Sequence, residues 1–215
     1  MSDERRPGRF ITIEGPEGSG KTSQAARLRA ALIAAGHVVH LSREPGGTAA
    51  GERIRELLLH ADPVTVPIAP RTDVLLFNAA RAQHVDEAIR PALERGEVAI
   101  VARYADSTLA YQGYGSGQPL GELRALGRFA TAGLVPDLTI LLDVPVEVGL
   151  ARKGQDERLR FEEAFDHAFH ERVRAGFLEL AAAEPERWVV IDATADEARV
   201  AASVAEAVRR LGLAI

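Results

Sequence analysis

The chain alternates short apolar runs with longer segments in which apolar positions recur every three to four residues. Short runs with few polar positions are typical of strands that are buried on both faces of a parallel sheet. They predict five strands, at residues 10–14, 37–42, 97–102, 138–144 and 188–193. Because helical spacing separates each run from the next, the strands are expected to pair in parallel.

The segments with helical spacing predict helices at residues 22–36, 49–60, 70–96, 121–133, 146–153, about 161–183, and 196–211. Gly36 ends the first helix, and Pro91 is expected to kink the third. This order of elements predicts an α/β fold in which helices cover both faces of a five-stranded parallel sheet. At 215 residues the chain is expected to form a single domain, 1–215, with residues 1–8 as a flexible N-terminal segment.

The composition excludes several classes of function. The net charge of −5 gives no overall basic character, so we expect no nucleic-acid partner. No apolar run approaches the roughly 20 residues that span a bilayer, and the charged start MSDERRPGR has no apolar core, so neither a membrane span nor a signal peptide is predicted. Cysteine is absent, which excludes disulfides, thiolate catalysis and zinc–thiolate sites. We therefore expect a cytoplasmic protein.

The most specific chemical signal follows the first strand. GPEGSGKT, residues 15–22, matches G-x-x-x-x-G-K-[ST] at every fixed position and lies between a predicted strand and a predicted helix. Lys21 is expected to reach the β- and γ-phosphates of a nucleoside triphosphate, and the Thr22 hydroxyl to bind Mg²⁺. The alternative is a glycine-rich turn with a chance lysine. The predicted triphosphate-binding residues are Gly15, Pro16, Glu17, Gly18, Ser19, Gly20, Lys21 and Thr22.

A phosphate-binding loop does not by itself identify the reaction. A GTPase would normally read guanine with an Asn-Lys-x-Asp loop, but Asn78 is the only asparagine and Ala79 follows it. A motor or a large ATPase would be longer. A short chain with arginines at its strand ends is more typical of a kinase that acts on a small molecule.

Four further segments carry a more specific pattern: SREPGGT (42–48), LLFNAARAQH (75–84), RYADSTLAYQG (103–113) and GLVPDLTILLDVPVEVGLAR (133–152). In this order and spacing the chain resembles bacterial thymidylate kinases, a family of P-loop nucleoside monophosphate kinases, from about Phe10 to Asp192. The resemblance implies a three-layer P-loop kinase fold with a small lid, and transfer of the γ-phosphate of ATP to dTMP to give dTDP. It also implies Mg²⁺ as cofactor and a homodimer.

The same resemblance assigns residues to the acceptor nucleoside. Phe77 and Arg81 lie four apart on one helix face, where a phenyl ring can stack on thymine and a guanidinium can donate to its carbonyl. From spacing alone, a core position would be the more common role for Phe77. By resemblance, Thr108 and Gln112 lie near the base, and the ring of Tyr111 lies under the sugar, where it would exclude a ribose 2′-hydroxyl.

Phosphate and sugar contacts are also implied. Arg103 matches the arginine that lies between donor and acceptor phosphates, and Arg43 and Arg55 match residues near the acceptor phosphate. Glu17 matches a position that takes the sugar 3′-hydroxyl or a water on Mg²⁺. Without the resemblance, Arg55 could be a surface helix charge and Glu17 a solvated loop charge.

ARKGQDERLRFEE, residues 151–163, resembles the lid that closes over ATP. The P-loop positions that carry a catalytic arginine in one branch of the family are not basic here, so the lid is expected to supply it. A solvated, charged loop is the alternative. The candidate cations are Arg152, Lys153, Arg158 and Arg160. Glu162 matches an acceptor-site residue, whereas the aspartate usual before the lid arginine is replaced by Leu159.

One position departs from the family where the chemistry occurs. The residue before Arg103 is normally aspartate, close to Mg²⁺ and the reacting phosphates, but here it is Ala102. Mg²⁺ could be ordered through Thr22, the phosphates and neighbours such as Glu14 or Asp143, turnover could be impaired, or the alanine could be an introduced substitution. Three functions therefore stay open: an active thymidylate kinase, a kinase for another nucleoside monophosphate such as dUMP, and a nucleotide-binding protein with weak catalysis.

Overall fold

A computed structural model describes residues 8–62, 64–153 and 165–215. Five strands form one parallel sheet in the order β2-β3-β1-β4-β5. The strands are β1 (Arg9–Glu14), β2 (Val39–Arg43), β3 (Val98–Ala102), β4 (Leu138–Asp143) and β5 (Trp188–Asp192). The predicted α/β fold with a five-stranded parallel sheet is confirmed.

The described helices connect these strands. They are α1 (Lys21–Ala34), α2 (Ala49–His60), α3 (Pro70–His84), α4 (Arg90–Glu94), α5 (Ala105–Thr108), α6 (Leu120–Ala130), α7 (Val146–Lys153), α8 (His167–Ala183) and α9 (Glu197–Arg209). In the part of the chain that the structure describes, no helix is long and apolar enough to cross a membrane.

Side chains of β1 show why the strand sequences are apolar on both faces. Ile11 and Ile13 pack on one face with Leu28 and Leu32 of α1. Phe10 packs on the other face with a cluster that includes Ile89 and Tyr104. A strand with helices on both sides has no solvent face, so its apolar positions do not alternate with polar ones.

The register of the sheet brings the predicted site residues to one edge. Ala102, at the end of β3, lies opposite Ile13 of β1 and Arg43 of β2. The amide of Arg103 then donates to the carbonyl of Ile13 at 3.0 Å. The residues that follow β1, β2 and β3 therefore meet at the carboxyl edge, where ligands bind in open α/β sheets.

The helix predicted at 70–96 is irregular just ahead of Pro91, the residue where a kink was expected. A π-helical segment, Val85–Ile89, joins α3 to α4 and ends two residues before Pro91. Proline has no N–H to donate and its ring crowds the preceding turn. The helix accommodates this by widening ahead of the proline.

A helical region after β3 was missing from the sequence prediction. Residues 105–108 form α5, and Leu109–Gly115 continue it as a π-helical segment. This segment packs against α8. The predicted N-terminal segment 1–8, apart from Gly8, and most of the predicted lid at about 151–163 lie outside the described residues.

Candidate active site

The loop between β1 and α1 has the backbone that its sequence requires. Gly18 has a φ of 65° and Gly20, the residue before α1, a φ of 88°. A side chain at Gly18 would overlap the carbonyl of Gly149 in α7, so glycine is needed there for space as well as for φ. The Lys21 ammonium donates to the carbonyls of Gly15 at 3.0 Å and Pro16 at 2.6 Å. The lysine is therefore held across the loop, next to the N-terminus of α1.

A cavity of about 340 Å³ opens at the carboxyl edge of the sheet, beside this loop. Its size is within the range of small-molecule sites. The predicted site residues that line it are Glu17, Gly18, Ser19, Gly20, Lys21, Thr22, Arg43, Arg55, Phe77, Arg81, Arg103, Thr108, Tyr111 and Gln112. Gly15 and Pro16 are not among the described residues that line it, and their carbonyls accept hydrogen bonds from Lys21.

Arg81 is held in a buried network. Its guanidinium, 2% exposed, donates to Oε2 of Glu44 at 2.8 Å, to the carbonyl of Tyr104 at 3.1 Å and to Oγ1 of Thr108 at 3.0 Å. The other oxygen of Glu44 lies 3.2 Å from Nδ1 of His84. These contacts fix the guanidinium at the cavity wall. Sequence reasoning quoted Glu44 within REPGGT but gave it no role.

Arg103 lines the cavity and bonds to two other predicted site residues. Its Nη2 donates to Oε1 of Glu17 and to the hydroxyl of Tyr111, both at 3.0 Å. The Tyr111 hydroxyl in turn donates to Oε1 of Glu17 at 3.1 Å. Burial raises the pKa of the Tyr111 hydroxyl, so it stays protonated and able to donate. The predicted phosphate, sugar and 3′-hydroxyl residues thus form one hydrogen-bonded group.

Three further predicted acceptor residues also line the cavity. Phe77 is half-buried and lines the cavity, so it is not an enclosed core residue. Arg43 is exposed and pairs with Glu52 at 3.2 Å. Arg55 donates to the carbonyl of Pro45 at 2.9 Å.

Ala102 lines the same cavity with 8% of its surface exposed. Its carbonyl accepts a hydrogen bond from the amide of Glu44 at 2.9 Å, and its methyl group offers no ligand atom. The two carboxylates considered as substitutes are engaged elsewhere. Asp143 accepts two hydrogen bonds from Arg174, at 2.8 and 2.9 Å, and Glu14 is buried below Arg103.

Of the predicted lid cations, Arg152 has a described side chain, and it is not brought to the cavity. Arg152 donates to the carbonyls of Ala193 at 2.7 Å and Thr194 at 3.3 Å, and the described cavity lining does not include it. The backbone of Lys153 ends α7. The other predicted lid residues, Arg158, Arg160 and Glu162, lie outside the described residues.

Two residues beyond the predicted lid line the cavity without having been predicted to do so. The two are Phe165 and His170. Phe165 stacks on Phe169 with ring centroids 3.6 Å apart, and His170, the residue after Phe169, is buried. The signal in the sequence was the aromatic-rich start of the helix predicted at about 161–183. That pattern is also typical of a helix that only packs in the core.

The chain is similar to known proteins along almost its whole length. A family model described as thymidylate kinase matches residues 13–204. A curated thymidylate kinase of Deinococcus radiodurans is 54% identical over 208 residues, which cover 95% of this chain and 98% of that protein. One from Thermomicrobium roseum is 54% identical over 209 residues, covering 94% and 96%. A crystal structure of thymidylate kinase from Ehrlichia chaffeensis superposes with a TM-score of 0.77 at 32% identity and covers 94% of this chain. The chain belongs to the thymidylate kinase family.

Proposed function

We propose that the protein transfers the γ-phosphate of ATP to dTMP, giving dTDP and ADP. One observation carries the proposal: the cavity joins the phosphate-binding loop to Phe77, Arg81 and Tyr111, so a donor and a thymidine-like acceptor fit side by side. Membership of the thymidylate kinase family supports the same reaction.

At the donor end, the triphosphate of ATP lies on the loop of residues 15–22. The N-terminus of α1 and the Lys21 ammonium stabilise its negative charge. Lys21 exchanges its bonds to the carbonyls of Gly15 and Pro16 for bonds to phosphate oxygens.

At the acceptor end, thymine lies between Phe77 and the polar groups of Arg81 and Gln112. Arg103 binds the acceptor phosphate with the fork geometry that suits phosphate oxygens. An oxygen of that phosphate attacks the γ-phosphorus while the bond to the bridging oxygen of ADP breaks. The acceptor phosphate is largely a dianion at neutral pH, so the reaction depends on positioning and charge stabilisation more than on a general base.

Mg²⁺ is the cofactor that we propose. The described lining offers the Thr22 hydroxyl, whereas Ala102 offers no oxygen. This donor set fits Mg²⁺, which keeps several waters and is commonly bound by few protein oxygens together with substrate phosphates. Bound there, the ion would neutralise charge on the phosphates.

We also propose a homodimer in the cytoplasm, where ATP is available. Phe129 of α6 and Leu75 of α3 are 88% and 55% exposed, and these two helices pack against each other. Exposed large apolar side chains on packed surface helices are typical of an interface. A second copy of the chain would cover them. Sedimentation of the wild type against Phe129→Glu tests this, and a wild-type monomer at micromolar concentration would rule it out.

A coupled assay of ADP release, with ATP, Mg²⁺ and one acceptor at a time, tests the activity. We expect dTMP to give the highest kcat/KM among dTMP, dUMP, dCMP and AMP. A preference for dCMP or AMP would overturn the assignment, and a preference for dUMP would change only the substrate.

A second function stays in contention because of the methyl group of Ala102 in the cavity. It is that of a nucleotide-binding protein with weak turnover. Calorimetric binding of dTMP and an ATP analogue, without ADP release when both substrates are present, would favour it.

A further inference from the structure

Glu14, the last residue of β1, is a fully buried carboxyl group that the proposed reaction does not use. We infer that Glu14 is a positioning residue that fixes both the backbone and the guanidinium of Arg103. This inference deepens the proposed function and rests on the place of Arg103 at the acceptor phosphate.

The carboxylate of Glu14 accepts two short hydrogen bonds from the segment that follows β3. Its Oε1 accepts from the amide of Tyr104 at 2.7 Å, and its Oε2 accepts from the hydroxyl of Ser107 at 2.6 Å. Because no part of Glu14 is exposed, it does not reach a substrate itself. Any effect on the reaction must pass through neighbouring protein groups, and these two are its hydrogen-bond partners.

The first bond supports an unusual backbone conformation. Arg103 has a φ of 66°, a left-handed conformation that is unfavourable for a residue with a side chain. The amides on both sides of this kink donate to β1: that of Arg103 to the carbonyl of Ile13 at 3.0 Å, and that of Tyr104 to the Glu14 side chain. The kink turns the Arg103 side chain toward the cavity.

The second bond leads to the guanidinium itself. The hydroxyl of Ser107 donates to Glu14 and therefore presents its lone pairs to Arg103, whose Nη1 donates to it at 3.3 Å. The same Nη1 also donates to the carbonyl of Gly15 at 3.3 Å. Glu17 and Tyr111 hold the other nitrogen, Nη2. Glu14 thus determines which way the Ser107 hydroxyl points. In this way it orients the Nη1 side of the Arg103 guanidinium.

Glu14→Gln tests this relationship with little change of shape. The glutamine oxygen can still accept from the amide of Tyr104, but its NH₂ group now donates to Ser107. The hydroxyl proton of Ser107 is then free to turn toward the Arg103 guanidinium, which it repels. We expect kcat for dTMP to fall roughly 10- to 100-fold, as for a small misplacement of a catalytic group. The KM for ATP should change less than about threefold, and the urea midpoint at pH 8 should not fall.

Thr12→Val is the matched control, because Thr12 is equally buried on β1 but bonds to Thr139 and not to the Arg103 segment. It should lower stability with little change in kcat. If Glu14 were only structural, Glu14→Gln would, like this control, leave kcat nearly unchanged, and the inference would fail.

A double-mutant cycle with Arg103→Lys identifies the route. If Glu14 acts through the guanidinium, Glu14→Gln should lower kcat by less than about threefold once Arg103 is lysine. If the fold-losses of kcat in the two single variants instead multiplied in the double variant, the inference would be overturned.

The outcome can be separated from a failure of the proposed function. If the wild type prefers another nucleoside monophosphate, the cycle is run with that acceptor. If the wild type turns over no acceptor, the dissociation constants of dTMP and thymidine replace kcat. Glu14→Gln should then weaken dTMP binding about tenfold with thymidine binding unchanged, since only dTMP carries the phosphate that Arg103 binds. Equal effects on both ligands, or none, would refute the positioning role.

Discussion

The guanidinium of Arg103 lies over the ring of Tyr111, with its Cζ 4.8 Å from the ring centroid, while its Nη2 donates to the hydroxyl of the same tyrosine at 3.0 Å. The pair combines a cation–π contact with a hydrogen bond, and Glu17 accepts from both partners. One rigid group thus presents a cation for a phosphate next to an aromatic surface for a sugar.

Tyr111→Phe should separate the two contributions of this tyrosine. The ring and its packing stay, but the hydrogen bonds to Arg103 and Glu17 are lost, which corresponds to about 1.5–3 kcal/mol for bonds to charged groups. We expect kcat/KM for dTMP to fall about 10- to 100-fold and the KM for ATP to stay within about twofold. Steady-state kinetics with each substrate varied in turn measures both values.

Tyr114→Phe is the control for that experiment. The hydroxyl of Tyr114 also donates to a carboxylate, Glu179 at 2.7 Å, but on the exposed surface away from the cavity. Its removal should leave both kinetic constants unchanged. Equal losses in the two variants would mean that the Tyr111 hydroxyl has no specific part in acceptor binding.

Glu44→Ala should destabilise the protein strongly. The Glu44–Arg81 ion pair is buried, with 4% and 2% of the two side chains exposed. Removing one partner leaves the other charge buried without compensation, which lowers the free energy of unfolding by about 3–5 kcal/mol. Urea denaturation measures the change. Glu206→Ala, which breaks an exposed pair with Arg209, should cost less than about 0.5 kcal/mol.

The free energy of unfolding should depend on pH through Glu14. Burial, followed by the charge of Asp106, raises the pKa of its carboxyl from 4.5 to about 7, while Ser107, Arg103 and Tyr104 oppose the rise. Between these two pH values the folded state binds more protons than the unfolded state. The contribution of Glu14 to stability is therefore lost as pH rises from about 4.5 to 7, by about 3 kcal/mol in all.

Glu14→Gln isolates this effect because it does not titrate. The stability of the variant relative to the wild type should increase as pH rises from about 5 and level off above about pH 8. Urea midpoints of both proteins across this range give the difference directly. A difference that stays constant with pH would show that the carboxyl group titrates near its ordinary pKa.

The location of the site could be predicted from the sequence, since apolar runs buried in a parallel sheet must end at one edge and the polar segments follow them. The partners that hold the site together could not. Glu14 and Tyr104 are far apart along the chain, and a carboxylate at a strand end is equally typical of a solvated turn. The same is true of Glu44 and Arg81. The helical segment Leu109–Gly115 contains two glycines and two tyrosines, which are poor helix formers. Packing on α8 overrides that preference.

Ala102→Asp should raise the catalytic rate. The methyl group of Ala102 lines the same cavity as Lys21, Thr22 and Arg103, so a carboxylate there would share the cavity with two cations and could hold a water of Mg²⁺. We expect kcat for dTMP to rise at least tenfold with Mg²⁺ present, because the added charge stabilises the ion at the reacting phosphates. Ala102→Asn has nearly the same shape without the charge and should give little gain. A wild type as fast as Ala102→Asp would show that the Thr22 hydroxyl and the phosphates are enough to order the metal.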